Sequence, residues 1–165
     1  MDGDGAASTI STGVIALDIL LTELAAASRF RFDVKCDGDV YIDDHHTAED
    51  VGITIGQCLN QALGDKKGLA RMACATASRG QATVRAVVDL SNRPHFETNM
   101  ALDQEFVESD SAGAVCGARL SCEMVLHVFE SIVVEARSTV HLEELATGDA
   151  IDVTRAEYMT GGDRR

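Results

Sequence analysis

Positive charge is scarce in this sequence: 14 lysines and arginines stand against 27 aspartates and glutamates, a formal charge of -13 over 165 residues. A surface of that sign repels phosphate backbones and anionic lipid unless cations cluster locally, and no such cluster is present. Nucleic acid is therefore not an expected partner. Long apolar runs are missing too, so no segment is expected to span a bilayer. The five cysteines (Cys36, Cys58, Cys74, Cys116 and Cys122) contain no C-x-x-C pair, and the start lacks the basic and apolar regions of a secretory signal. Both absences argue for a reducing, cytoplasmic setting.

What is present is enough to fold. Hydrophobic residues make up 45% of the chain, sufficient for one core in a domain of this size. Leu17, Leu20, Leu21, Leu24 and Ala25 recur at helical spacing, and "RFRFDVKC" and "DVYI" alternate as strands about a "CDGD" turn. Val51, Ile55, Cys58, Leu59 and Ala62 mark one face of a second helix that ends at "GDKKG". "ARMACATAS" and "QATVRAVVDLS" predict a hairpin about Arg79 and Gly80. A third helix runs from about Leu120 to Ala136, and "STVHLEEL" forms a further strand.

The two ends repeat the order helix, strand, acidic turn, which predicts a tandem duplication with repeats at roughly 10–68 and 115–160 inside a single domain, 1–165. One proline, aromatics at 4% and this mixture of elements predict an α+β fold, a small sheet-plus-helices unit duplicated into a sandwich. "MDGDGAAST" and "TGGDRR" look like weakly anchored tails.

Within "DVYIDDHHTAEDVGI" two histidines meet several carboxylates. "TAED" predicts a helix start in which Thr47 caps and Asp50 reaches back, leaving His45 and His46 in extended chain. Neighbours in extended chain point to opposite sides, so the two imidazoles would serve different sites. Glu49 in the first helical turn completes an H-H-x-x-E cluster of nitrogen and carboxylate donors suited to manganese, iron or zinc. Asp43 and Asp44 are candidates to orient the rings. The same residues also describe a solvated capping segment, and one cluster alone does not complete a metal shell.

"DGDGAASTISTGVIALDILL", "YIDDHHTAEDVGITIGQCLNQALGDKKG", "VVDLSNRP" and "EMVLHVFESIVVEARSTVHLEELATG", in this order, resemble imidazoleglycerol-phosphate dehydratase, from Asp2 to about Arg155. The resemblance implies a duplicated α+β unit, a homo-oligomer with metal sites between neighbours, and loss of water from imidazole glycerol phosphate to give imidazole acetol phosphate, with manganese holding the substrate imidazole. It implies metal ligands at His45, His46, Glu49 and His127, with Glu49 as the catalytic carboxylate. His141 matches a histidine of the following strand. Arg71 and Arg93 fall where the family faces a substrate phosphate, a contact suited to arginine's fork. Lys66 and Lys67 could add charge, although an ordinary surface role explains them as well.

The chain also departs from that pattern. Ile19 in "ALDIL" stands where the family has the histidine of "FLDHM", and Ala27 replaces the histidine of "RHGRF". At the second H-H-x-x-E cluster stand Ile151, Asp152 and Arg155, and "SRGQA" replaces a "PMDEA"-like carboxylate segment. The sequence begins at the family's "DG" turn and stops within its last helix. Alternatives to a working dehydratase therefore stay open: an inactive relative that keeps fold and assembly, or a small single-metal binding or interaction domain.

Overall fold

The structure is a computed structural model that describes residues 7–39, 42, 44–102, 105–108 and 119–147. Val40, Tyr41, Asp43, Cys116, residues 1–6, the C-terminal tail, the outer parts of the second repeat and the positions Ile151, Asp152 and Arg155 lie outside the described residues. The end of the expected N-terminal tail is instead anchored, since Ser8 Oγ accepts the Phe32 backbone N–H at 3.0 Å and Thr9 opens the first strand. The order of elements is β1 (Thr9–Ser11), α1 (Ile15–Ser28), β2 (Asp33–Lys35), α2 (His45–Leu63), β3 (Met72–Arg79), β4 (Ala82–Asp89), β5 (His95–Thr98), β6 (Phe106–Glu108), β7 (Arg119–Ser121), α3 (Cys122–Glu135) and β8 (Thr139–Ala146). Helices and sheets are mixed, so the fold is α+β.

The leucine stripe of α1 buries Leu17, Leu20 and Leu21 almost completely, each burial contributing about 1.5–3 kcal/mol. Its start is held from inside the helix. Asp18 Oδ1 accepts from both the Thr12 backbone N–H (2.8 Å) and the Thr12 hydroxyl (2.6 Å), and Thr12 is fully buried. The helix stops at Arg29, whose φ of 57° is left-handed. The chain then returns as β2, parallel to β1 with Ile10 opposite Val34.

The expected hairpin forms between β3 and β4, with Arg79 opposite Ala82. These strands join β8 and β5 in a four-stranded sheet of order β3-β4-β8-β5, antiparallel except for the parallel β5–β8 pair. The short β6 and β7 pair with each other.

Alternation along β4 and β8 turns Val84, Ala86, Val140 and Leu142 inward, where Val133 of α3 covers them. Another flank of α3, with Met124, Val125 and Val128, packs with α1 and with Ala48, Val51 and Ile55 of α2. Helix α3 thus lies between two apolar clusters, and Phe129 touches both.

Two expectations near the histidines change. Ile42, expected in a strand, lies in a turn closed by its N–H to the Asp39 carbonyl. His45 and His46 are not in extended chain before the helix but are its first two residues. The N-cap position falls to Asp44, not Thr47, and Thr47 turns inward instead. It is 3% exposed, and its Oγ1 has no hydrogen-bond partner. The Asp44 carboxylate serves a different helix, accepting the Ser121 backbone N–H at 2.6 Å, and Ser121 is the N-cap of α3.

Candidate metal centre

Helices α2 and α3 run side by side in the same direction. Asp44 meets Ser121 at their starts, and Lys66 Nζ donates to the Ala136 and Arg137 carbonyls just past the end of α3. Residues one turn apart on a helix share a face, so His45 and Glu49 project together from the first turns of α2. His127 reaches toward them from α3. One ligand atom from each of the three lies within 4.8 Å of the others, and His127 Nε2 is 3.2 Å from Glu49 Oε1.

That spacing can be tested against a metal. Bonds of about 2.1 Å at right-angled to tetrahedral geometry place neighbouring ligand atoms about 3.0–3.4 Å apart. The Glu49–His127 separation falls inside this range, and two imidazoles with one carboxylate suit manganese, iron or zinc. The donor types and the Glu49–His127 spacing fit such an ion. Without one, the same pair is an interhelical contact between a carboxylate and an imidazole. His127 is further bracketed by Glu130 of its own helix, whose Oε2 lies 3.9 Å from Nδ1.

His46 does not join this group. Successive helical residues are about 100° apart around the axis, and His46 Nδ1 lies 3.9 Å from Asp39 Oδ2 while its ring stands edge-on to His45. The two imidazoles diverge because of helical rotation rather than strand alternation. His141 lies elsewhere, on β8, with its ring centroid 5.6 Å from that of His95.

The two arginines sit at a different place in the fold. Arg71, just before β3, makes a two-pronged contact with Asp89 at the end of β4, Nε to Oδ1 at 2.7 Å and Nη2 to Oδ2 at 2.9 Å. The hydrogen bonds from the Arg71 guanidinium, with added attraction from the charges of Arg71 and Arg93, hold the Asp89 carboxyl below its usual range, and Asp89 in turn raises the Arg71 value. The Arg93 carbonyl accepts from the Thr139 hydroxyl at 2.7 Å. Since Thr139 follows the end of α3, both arginines lie near that end. About 13 Å of helix separates Ala136 from His127.

Of the substituted positions, Ile19 and Ala27 are half-buried in α1. A mostly apolar groove of about 680 Å³ runs between β2 and α2, lined by Phe30, Phe32, Ile55 and Leu59 among others, and none of the three ligand residues borders it. Three residues build the site's frame: Asp44 ties α2 to α3, Glu130 lies beside His127, and Lys66 is the clasp at the far end; sequence reasoning named Asp44 and Lys66 only in other roles and did not name Glu130. Glu130 had a readable signal, being three residues after His127 in a helical pattern. The other two act across long stretches of chain and had none.

The family model described as imidazoleglycerol-phosphate dehydratase matches residues 12–162. An imidazoleglycerol-phosphate dehydratase of Phytophthora nicotianae is 41% identical over 145 residues, covering 88% of this chain and 30% of that protein. One from Zygosaccharomyces bailii is 43% identical over 134 residues, covering 81% of this chain and 56% of that protein. The chain thus spans 30% and 56% of the lengths of these two relatives. The crystal structure of the Staphylococcus aureus imidazoleglycerol-phosphate dehydratase superposes with a TM-score of 0.81 at 29% identity, covering 97% of this chain and 84% of that one.

Proposed function

Since the chain belongs to the imidazoleglycerol-phosphate dehydratase family, we propose that it acts as a hydro-lyase converting imidazole glycerol phosphate to imidazole acetol phosphate and water. The observation that carries this reading is the convergence of His45, Glu49 and His127 from two helices. In this proposal the three residues hold a manganese ion, and His46, turned away, serves a second site. Manganese bound there would act as a Lewis acid toward the substrate imidazole, allowing charge from the adjacent carbon to spread into the ring.

The rest falls to this chain's residues. Glu49 is the catalytic carboxylate, placed where an oriented carboxylate can hold or take a proton. Arg71 and Arg93 bind the substrate phosphate, with Arg71 exchanging Asp89 for it. Because these arginines and the three-residue group lie toward different parts of α3, one small substrate is served best by metal ligands and arginines from neighbouring copies. This supports a homo-oligomer. The acidic balance of the chain and the absence of a described helix long and apolar enough to cross a membrane agree with a small-molecule substrate, and we place the chain in the cytoplasm.

A second reading is favoured by one observation: Ile19, an aliphatic side chain half-buried in α1, stands where the resemblance implies a histidine. In that reading the chain keeps the fold and one metal group without turnover. The deciding experiment loads the protein with manganese, measures metal per chain by elemental analysis, and assays imidazole acetol phosphate. Product that disappears in Glu49→Ala supports the dehydratase. Bound metal without product favours the second reading, and no bound metal overturns both.

A further inference from the structure

Glycines at positions 52 and 56 in "GITIG" lie on the face of α2 that meets α3, and both are buried. A Cβ added at Gly52 would stand 2.9 Å from the Val128 carbonyl oxygen and 3.1 Å from Ser131 Cβ. One added at Gly56 would stand 2.6 Å from both the Ile132 carbonyl oxygen and Glu135 Cβ. The approaches of 2.9 and 2.6 Å are shorter than a Cβ can make without something shifting, and two of the obstructing atoms belong to the α3 backbone. A side chain could be accommodated only if one helix moved away from the other.

Gly52 lies three residues beyond Glu49, on neighbouring turns of the same helix, and Val128 immediately follows His127. A close backbone approach between the helices, Gly52 against Val128, is therefore adjacent to the site where their ligands meet, and a tighter one, Gly56 against Ile132, follows one turn on. Elsewhere the pair is held by contacts that do not set its separation so directly: Asp44 to Ser121 at the start, Gln57 Nε2 to Glu135 Oε2 at 3.2 Å, and Lys66 beyond the end.

We infer that Gly52 is a positioning residue for the metal centre, and that its missing side chain sets the separation of α2 and α3 at which Glu49 and His127 bind the same ion. Gly56 supports this one turn further on. Ligand sets tolerate displacements of only about 0.5 Å. Restoring the ordinary contact distance of 3.4 Å from 2.9 Å at Gly52 moves the helices apart by about 0.5 Å, which, carried rigidly to Glu49, uses up that tolerance. The inference rests on the metal reading of His45, Glu49 and His127.

The test is titration calorimetry with manganese(II) on the full chain and on Gly52→Ala and His45→Ala, with circular dichroism and thermal melts on each. The cobalt(II) d–d spectrum provides a measure of ligand geometry that a purely structural role would not alter. The expected result is a folded Gly52→Ala protein with affinity at least about 10-fold weaker and a changed cobalt spectrum. Unchanged affinity and spectrum in a folded Gly52→Ala protein would overturn the inference, whatever its melting temperature. If Gly52→Ala does not fold, Gly52→Ala/Ser131→Gly clears the Cβ contact but keeps the approach to the Val128 carbonyl, and the same two outcomes apply. Equal binding by the unaltered chain and His45→Ala would instead locate the failure in the metal reading itself.

Discussion

Glu49 and His127 lie in different helices, yet their facing atoms are 3.2 Å apart, and the side chains are 36% and 35% exposed. Both can reach solvent and each other. A contact of this kind adds little to stability, about 0–1 kcal/mol for an exposed pair, so its importance lies in what it can bind.

Replacing His45, Glu49 or His127 by alanine is therefore expected to weaken manganese binding by at least about 100-fold while leaving the fold intact. Elemental analysis after dialysis against manganese, beside circular dichroism, checks this. Metal content equal to that of the unaltered protein in all three variants would leave these residues as a solvated contact between two helices.

The Arg71–Asp89 pair predicts a pH dependence. Asp89 has a folded value below the ordinary 3.8 because Arg71 donates to its carboxylate. A depressed carboxylate contributes stability that is complete above its unfolded value and is lost as the pH falls through the folded one. Asp89→Asn should thus melt lower than the unaltered protein near neutrality. The two melting curves should converge in acid, in a titration from about pH 7 to about pH 2. A gap that stays constant across the whole range would refute the assignment.

Lys66 donates to two carbonyls at the end of α3 from a backbone with φ of 59°. Lys66→Ala loses the donors and keeps the left-handed backbone, and is expected to cost about 1–3 kcal/mol. Lys66→Gly loses the same donors but relaxes the backbone, which offsets about 0.5–1 kcal/mol. Urea denaturation should rank glycine above alanine at this position, and the reverse order would mean that the clasp is not what Lys66 provides.

A Cβ at Gly38 would lie 2.1 Å from Thr47 Oγ1 and 2.8 Å from Thr47 Cγ2. Gly38→Ala is expected to destabilise by about 1–3 kcal/mol through overpacking. Thr47→Ala should recover part of that, because it removes both obstructing atoms together with a buried hydroxyl lacking a hydrogen-bond partner. A double-mutant cycle measures the coupling, and strict additivity would show that the two residues do not press on each other.

The α+β class, the three helices and the hairpin about Arg79 and Gly80 were legible in the sequence because each is a local pattern. Leucines at helical spacing form α1, and alternation with a glycine turn forms β3 and β4. The family was legible for a related reason, since "DDHHTAEDVGI" is a continuous motif. The state of His45 and His46 was not. Either an extended or a helical start satisfies the local rules, and the choice fell to Asp44, whose carboxylate is fixed by Ser121 far along the chain.

By itself, then, the sequence determined the three helical segments, the β3–β4 hairpin and β8, that the chain is acidic, and which residue types could bind a metal. These follow from periodicity and composition, which depend on near neighbours. Only the tertiary structure decided that His127 completes a group with His45 and Glu49 while His46 does not, and that Arg71 is engaged by Asp89. The reason is geometric: ligand distances depend on how closely two helices approach, and that separation is limited by backbone atoms of α3 meeting glycines of α2. No pattern within either helix encodes that distance.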